Sequence, residues 1–140
     1  MDFRYSIKHE DTTIPQRGEE KATGYDIKAV AVEEESDVYI KYDTGLCMQA
    51  VSDDVDLQLR PRSSIYKTGL FLSNSLGTLD VSYTGKISAV FYKHPYGCEP
   101  YKVGDRIGQL VCARFEEINF IIEPMEETKR GDGAYGSTGK

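Results

Sequence analysis

Histidine is scarce in this chain of 140 residues. His9 and His94 stand alone, with no His-x-Glu and no Pro-Cys-x-x-Cys, so the ligand set of a zinc-dependent deaminase is missing. Two isolated histidines also support no Ser-His-Asp constellation. The three cysteines, Cys47, Cys98 and Cys112, are odd in number and widely spaced, which excludes the Cys-x-x-Cys pattern of a zinc or redox site. Basic residues are outnumbered, 17 against 23 acidic ones, for a net charge of −6. Nucleic acid or an anionic membrane would be repelled at long range, so neither is an expected partner. A small phosphate ligand would need a local pocket of a few well-placed Arg or Lys. No apolar run reaches membrane-spanning length, and Met1-Asp2-Phe3-Arg4-Tyr5 has no signal-peptide core. The expectation is a cytoplasmic protein with reduced thiols, the cytoplasm being a host's if the chain is viral.

Apolar residues are also few, at 39%, and an 11% aromatic content only partly offsets this for a single domain of this size. What the chain does have is alternation. Phe3, Tyr5 and Ile7 alternate with Arg4, Ser6 and Lys8, and Val55, Leu57 and Leu59 with Asp56, Gln58 and Arg60. Ile87, Ala89 and Phe91 alternate with Ser88, Val90 and Tyr92, while Val38-Tyr39-Ile40 and Asn119-Phe120-Ile121-Ile122 are short β-forming runs. Glycine and proline interrupt these segments too often for a long helix, with room for one short helical turn around Ser63 to Thr68. An all-β sandwich or barrel is predicted. Glu33-Glu34-Glu35-Ser36-Asp37 reads as a solvated turn between strands, lacking the ligand spacing and central Gly of a calcium loop. Residues 1–123 form the expected β domain, and 124–140 a flexible glycine-rich arm of that same domain.

Several short words could carry chemistry. Arg62-Ser63-Ser64 offers a planar guanidinium and two hydroxyls beside backbone N–H groups, which suits either an anion cradle or a helix N-cap. Gly77 to Ile87 reads as a hairpin whose free backbone edge could pair with a planar base, with Asp80 as a turn aspartate or a general base. The stretch from Arg130 to Gly139 fails the phosphate-loop pattern, since no Lys-Ser or Lys-Thr follows its glycines. It remains either a tail or an arm that wraps a phosphate chain.

Five words in fixed order resemble the trimeric dUTPase family. They are Ala22-Thr23-Gly24-Tyr25-Asp26, Pro61-Arg62-Ser63-Ser64, the stretch Asn74 to Gly85, Gly104 to Val111, and Arg130 to Gly139. The resemblance implies a jelly-roll-like β-barrel, a homotrimer and hydrolysis of dUTP to dUMP and pyrophosphate. Such an activity keeps uracil out of DNA and supplies dUMP for thymidylate synthesis. By the same resemblance, Asp80 activates the water that attacks the α-phosphorus in line. Arg62, Ser63, Ser64 and Gln109 bind phosphates, and Asp26 supports the water and metal network. Arg106 makes a structural ion pair. Asn74, Gly77 and the backbone at Thr78, Leu79 and Ser88 meet the uracil edge, and Tyr83 lies against the deoxyribose. Arg130, Ser137 and Thr138 cap the γ-phosphate, with Tyr135 and Gly136 over the base. Magnesium rides on the triphosphate and water, with no direct protein ligand. Each site is implied to combine the first, second and fourth words of one chain with the third and fifth of others. Two departures stand out: Ala134-Tyr135 replaces the family's usual Gly-Phe, and Gly108 replaces a common Ala. A dCTP deaminase shares the Arg-Ser-Ser word but needs a glutamate where this chain has Val90. A non-catalytic regulatory protein on the same scaffold is the other alternative.

Overall fold

The computed structural model describes residues 1–134. Ten strands among them form two antiparallel five-stranded sheets. In the first sheet, β1 (Phe3–Ile7) pairs with β5 (Tyr39–Ala50), which pairs with β9 (Lys86–Lys93), and β9 with β7 (Leu70–Leu72); β4 (Ala31–Glu35) shares the β1 side of β5. The second sheet runs β2 (Gln16–Arg17), β3 (Tyr25–Lys28), β10 (Arg106–Arg114), β6 (Val55–Arg60) and β8 (Gly77–Leu79). The architecture is the expected all-β sandwich.

Alternation decides which faces meet. Val55, Leu57 and Leu59 of β6 are buried while Asp56, Gln58 and Arg60 are half-buried, and Ile87, Ala89 and Phe91 of β9 point into the same core. Tyr42 and Phe91 pack edge to face at 5.9 Å, with Tyr101 completing the aromatic centre. The Tyr42 hydroxyl is satisfied by donating to the Tyr101 carbonyl at 2.7 Å, and burial pushes its proton affinity up. β5 serves two partners along one edge, β4 over Ile40–Asp43 and β1 over Leu46–Ala50. Gly45 sits at the changeover with φ +64, where a Cβ would also approach the Cβ of His9 to 2.8 Å.

Four expectations need correction. β1 forms, but Tyr5 and Ile7 stay exposed, because an edge strand has no second layer over them here. Glu33, Glu34 and Glu35 belong to β4 and not to a turn; a bulge lies between Val32 and Glu34, and the turn runs from Ser36 to Tyr39 with Asp37 and Val38 at its tip, where Ser36 Oγ accepts from the Tyr39 N–H at 3.1 Å. The segment from Gly77 does turn, with the Tyr83 N–H donating to the Asp80 carbonyl at 2.9 Å, yet it is no hairpin. Its two arms enter different sheets, since β8 pairs with β6 while β9 lies between β5 and β7. Finally, Asn119 to Ile122 forms no strand, because no neighbour in the described chain offers it a ladder. From Phe115 to Ala134 the chain has no strand or helix.

Candidate active site

Gln109 lies mid-strand in β10, opposite Asp26 of β3 on one side and Arg60 of β6 on the other. Directly opposed residues share a face, so the first and fourth words are adjacent by register alone. The Gln109 amide Nε2 donates to the Pro61 carbonyl at 3.3 Å, which ties in the second word. Gly24 makes room for that side chain: a Cβ there would lie 2.7 Å from Gln109 Cδ. Arg106 Nη1 donates to Asp26 Oδ2 at 2.9 Å, the ion pair expected of it. Arg62 Nε stands 4.0 Å from Asp26 Oδ1, and its Nη1 donates to the Arg106 carbonyl at 3.5 Å.

Arg62, in extended backbone, precedes the 3-10 helix Ser63–Lys67 and makes no side-chain capping bond. The cap position is therefore Arg62, and Ser63 and Ser64 fill the first turn. Their N–H groups have no acceptor within the helix, while Ile65 N–H donates to the Arg62 carbonyl. Guanidinium, hydroxyls, these N–H groups and the Gln109 amide form a cradle whose chemistry suits phosphate oxygens. Gly108 is a packing position, since a Cβ would come within 2.9 Å of Leu59 Cδ1.

The third word builds a separate cavity of about 370 Å³, lined by Asn74, Gly77, Thr78, Leu79, Asp80, Tyr83 and Ser88. Two open strand edges face it. β8 ends its sheet, and β9 is paired with β7 only from Phe91 to Lys93, apart from the Ser73 N–H donating to the Val90 carbonyl. Unpaired backbone donors and acceptors at such edges can meet the acceptor–donor–acceptor edge of a planar base. Gly77 admits the Asn74 side chain, whose Nδ2 would be 3.0 Å from an added Cβ. The Tyr83 ring covers Gly85, where a Cβ would fall 2.6 Å from Cζ, and its hydroxyl donates to the Lys86 carbonyl at 2.7 Å. That contact fixes the ring at the cavity mouth.

Sequence reasoning missed the charged floor of this cavity. Lys41 and Lys86 line it, and both pair with Glu33, Lys41 at 3.0 Å. Lys86 also reaches Asp43 at 2.6 Å, and Ser88 Oγ donates to Glu33 Oε2 at 3.1 Å. The Lys86 ammonium, against the opposing effect of burial and with Lys41 and Ser88 helping, holds the Glu33 carboxyl at about 2. Asp43 first, then Glu33, pushes the Lys86 ammonium the other way, up. No local pattern signals this cluster; only the bulge that turns Glu33 toward β9 creates it.

Cradle and cavity stand apart. Leu79 is level with Leu57 and Cys112, which puts Asp80 level with Asp56 and Ala113, whereas Gln109 is level with Arg60. Four residues along β10 and two strands across amount to roughly 16 Å. A base must sit within about 3 Å of the proton it takes, so one chain does not bring Asp80 to its own cradle. Arg130 is exposed and donates Nε to the Gly133 carbonyl at 2.9 Å, closing a turn of its own segment. Tyr135, Gly136, Ser137 and Thr138 lie outside the described residues.

The sequence model described as dUTPase matches residues 10–139. A deoxyuridine 5'-triphosphate nucleotidohydrolase of Wolinella succinogenes is 34% identical over 145 residues, covering 100% of this chain and 95% of its own. One from Fusobacterium nucleatum is 32% identical over 142 residues, covering 96% and 94%. Among solved structures, the Staphylococcus bacteriophage 80alpha dUTPase with dUPNHPP superposes with a TM-score of 0.74 at 20% identity, over 99% of each chain. A mutant dUTPase of S. aureus phage phi11, described as coordinating a structural Mg(II) ion, superposes at 0.70 with 18% identity, over 92% of this chain and 99% of its own.

Proposed function

The chain belongs to the dUTPase family, and from that premise we propose that it hydrolyses dUTP to dUMP and pyrophosphate in sites assembled between copies of itself. The separation of Asp80 from the phosphate cradle within one chain carries this reading. A homotrimer supplies the missing half of each site. The exposed apolar run at Ile118, Phe120, Ile121, Ile122 and Met125, with Phe120 90% exposed, supports assembly, because a monomer seldom leaves such a surface uncovered.

In this reading Arg62, Ser63, Ser64 and Gln109 hold the triphosphate, while Asp80 of another copy takes the proton of the water that attacks the α-phosphorus. The water oxygen bonds to phosphorus, the bond to the bridging oxygen breaks, and pyrophosphate departs with that electron pair. Asn74 and the edges of β8 and β9 select uracil. Cytosine reverses the donor–acceptor pattern there and leaves buried groups unpaired, at about 1–3 kcal/mol each. Tyr83 excludes a 2′-hydroxyl, and Arg130 with Tyr135, Gly136, Ser137 and Thr138 closes the site. Magnesium, when bound, neutralises phosphate charge. The donor set suits it, since the Asp26 carboxylate, bonded by Arg106 through Oδ2 and 4.0 Å from Arg62 Nε at Oδ1, can hold a hydrating water beside the cradle. Val90 puts an apolar side chain in the cavity where a deaminase would need a carboxylate.

Complementation tests the shared site. Asp80→Asn should lower kcat by about 10²–10⁴-fold while nucleotide binding survives. A chain truncated after Glu127 should also be poorly active. Co-refolded, the two should restore dUTP hydrolysis well above the sum of their separate activities. Mixed trimers confirmed by mass spectrometry, with activity still at that sum, would place base and arm on the same chain.

A further inference from the structure

β9 carries the proposed base-reading edge over the stretch where its own backbone support is weakest. On one side β7 pairs with it only from Phe91 to Lys93. On the other, β5 shifts register between Asp43, opposite Ser88, and Cys47, opposite Lys86. Thr44, Gly45 and Leu46 therefore face the single residue Ile87, and a ladder interrupted in this way holds the edge less firmly than a continuous one. Side chains from β4 and β5 take over. Thr44 Oγ1 donates to the Ile87 carbonyl at 2.6 Å. Asp43 is buried; its Oδ1 accepts the Gly45 N–H at 2.7 Å, bracing the left-handed turn of β5, while Oδ2 holds the Lys86 ammonium at 2.6 Å. Glu33 takes the same ammonium, Lys41 at 3.0 Å and the Ser88 hydroxyl at 3.1 Å. Lys86 passes the constraint on, since its carbonyl accepts the Tyr83 hydroxyl. Neither Glu33 nor Asp43 lines the cavity, whereas Lys41, Lys86 and Ser88 do. Two carboxylates stand against two ammonium groups, so the cluster is neutral and presents the cavity with little net field.

We propose that Glu33 and Asp43 are positioning residues for base selection: they hold the Lys86–Val90 edge of β9 in place and keep Lys41 and Lys86 from donating to the base. This rests on the reading of the cavity as the base site. The second effect has a definite sign. Uracil offers an N–H donor at N3, and cytosine an acceptor there. An ammonium group only donates, so with Glu33 removed the freed lysines suit the cytosine N3 and oppose the uracil N3–H.

The test is titration calorimetry of dUMP and dCMP into the full chain, without magnesium. Both ligands carry the same phosphate, so the ratio of their affinities isolates the base. It is measured for the unsubstituted protein, Glu33→Ala, Glu33→Gln, Asp43→Asn, and Glu35→Gln as a charge control on β4, whose partner Lys93 lies beyond the edge. Glu33→Ala should lower the preference for dUMP at least fivefold. Glu33→Gln and Asp43→Asn should each lower it at least twofold but by less than Glu33→Ala, because an amide oxygen keeps one acceptor in place. Glu35→Gln should leave it within twofold. In turnover, the ratio of kcat/KM for dUTP over dCTP should fall in the same order. Smaller falls in the Glu33 variants, or no preference for dUMP in the unsubstituted chain, would overturn the proposal. An equal loss of affinity for both nucleotides would mark a merely structural role, and an equal shift in Glu35→Gln a bulk charge effect; either would overturn it too. The expected order of binding ratios without dUTP turnover would sink the hydrolytic reading alone, since the titration needs none.

Discussion

The phosphate cradle and the base cavity use the same two sheets in opposite ways. In the cradle the strands are fully paired, and register sets Asp26 beside Gln109 while guanidinium groups supply the charge. In the cavity pairing stops short, and the edges of β8 and β9 are left unpaired, where the proposed base would meet them. In the proposed site the charge of a phosphate would be met by side chains, whose length and flexibility tolerate its movement. A base in that proposed site would be met by backbone, whose donors and acceptors cannot be exchanged by mutation and whose spacing is rigid. Glycine serves both ends, but for space: Gly24 admits Gln109, and Gly85 admits the Tyr83 ring.

Breaking the cradle should have the larger effect. Gly24→Ala forces Gln109 out of line, and a displacement on the order of 1 Å can cost roughly 10²-fold in kcat/KM for dUTP. Deoxyuridine binding to the cavity should survive, and adding Gln109→Ala to Gly24→Ala should cost little more, because both remove one group. Independent, additive losses in steady-state kinetics would show that Gly24 does not act through Gln109.

A break at the cavity should be milder and should alter choice more than rate. Tyr83→Ala removes the ring held over Gly85, and the ratio of kcat/KM for dUTP over UTP should fall by roughly tenfold, in the range of one lost packing wall. An unchanged ratio in a folded protein would mean that the sugar is read elsewhere.

The smallest effect concerns the charged floor. Glu33 sits at about 2 in the folded chain, below its ordinary 4.5, so the unfolded chain binds more protons between those values. Its stabilisation is therefore complete above pH 4.5 and is lost as pH falls through about 2. Urea midpoints across pH 2 to 5 should climb with pH in the parent protein and climb less in Glu33→Gln. Identical slopes would remove Glu33 from the acid response.

Sequence alone made the strands and the words legible. Period-two burial on β6 and β9 follows from side chains alternating across a pleat, which is a local property. The Ser63 turn was likewise readable, and the order of the words pointed to the residues proposed for both half-sites. Partnership was not. Whether Gly77–Leu79 pairs with Lys86–Lys93 or with Val55–Arg60 depends on which distant edge is free, and nothing local encodes that. The bulge at Glu33 and the gap between Asp80 and Gln109 are also consequences of register between remote strands. The chemistry that each residue can perform was determined by the sequence. Which residues perform it together was decided by the tertiary structure, because hydrogen-bonded ladders and a shared core set distances that spacing along the chain leaves open.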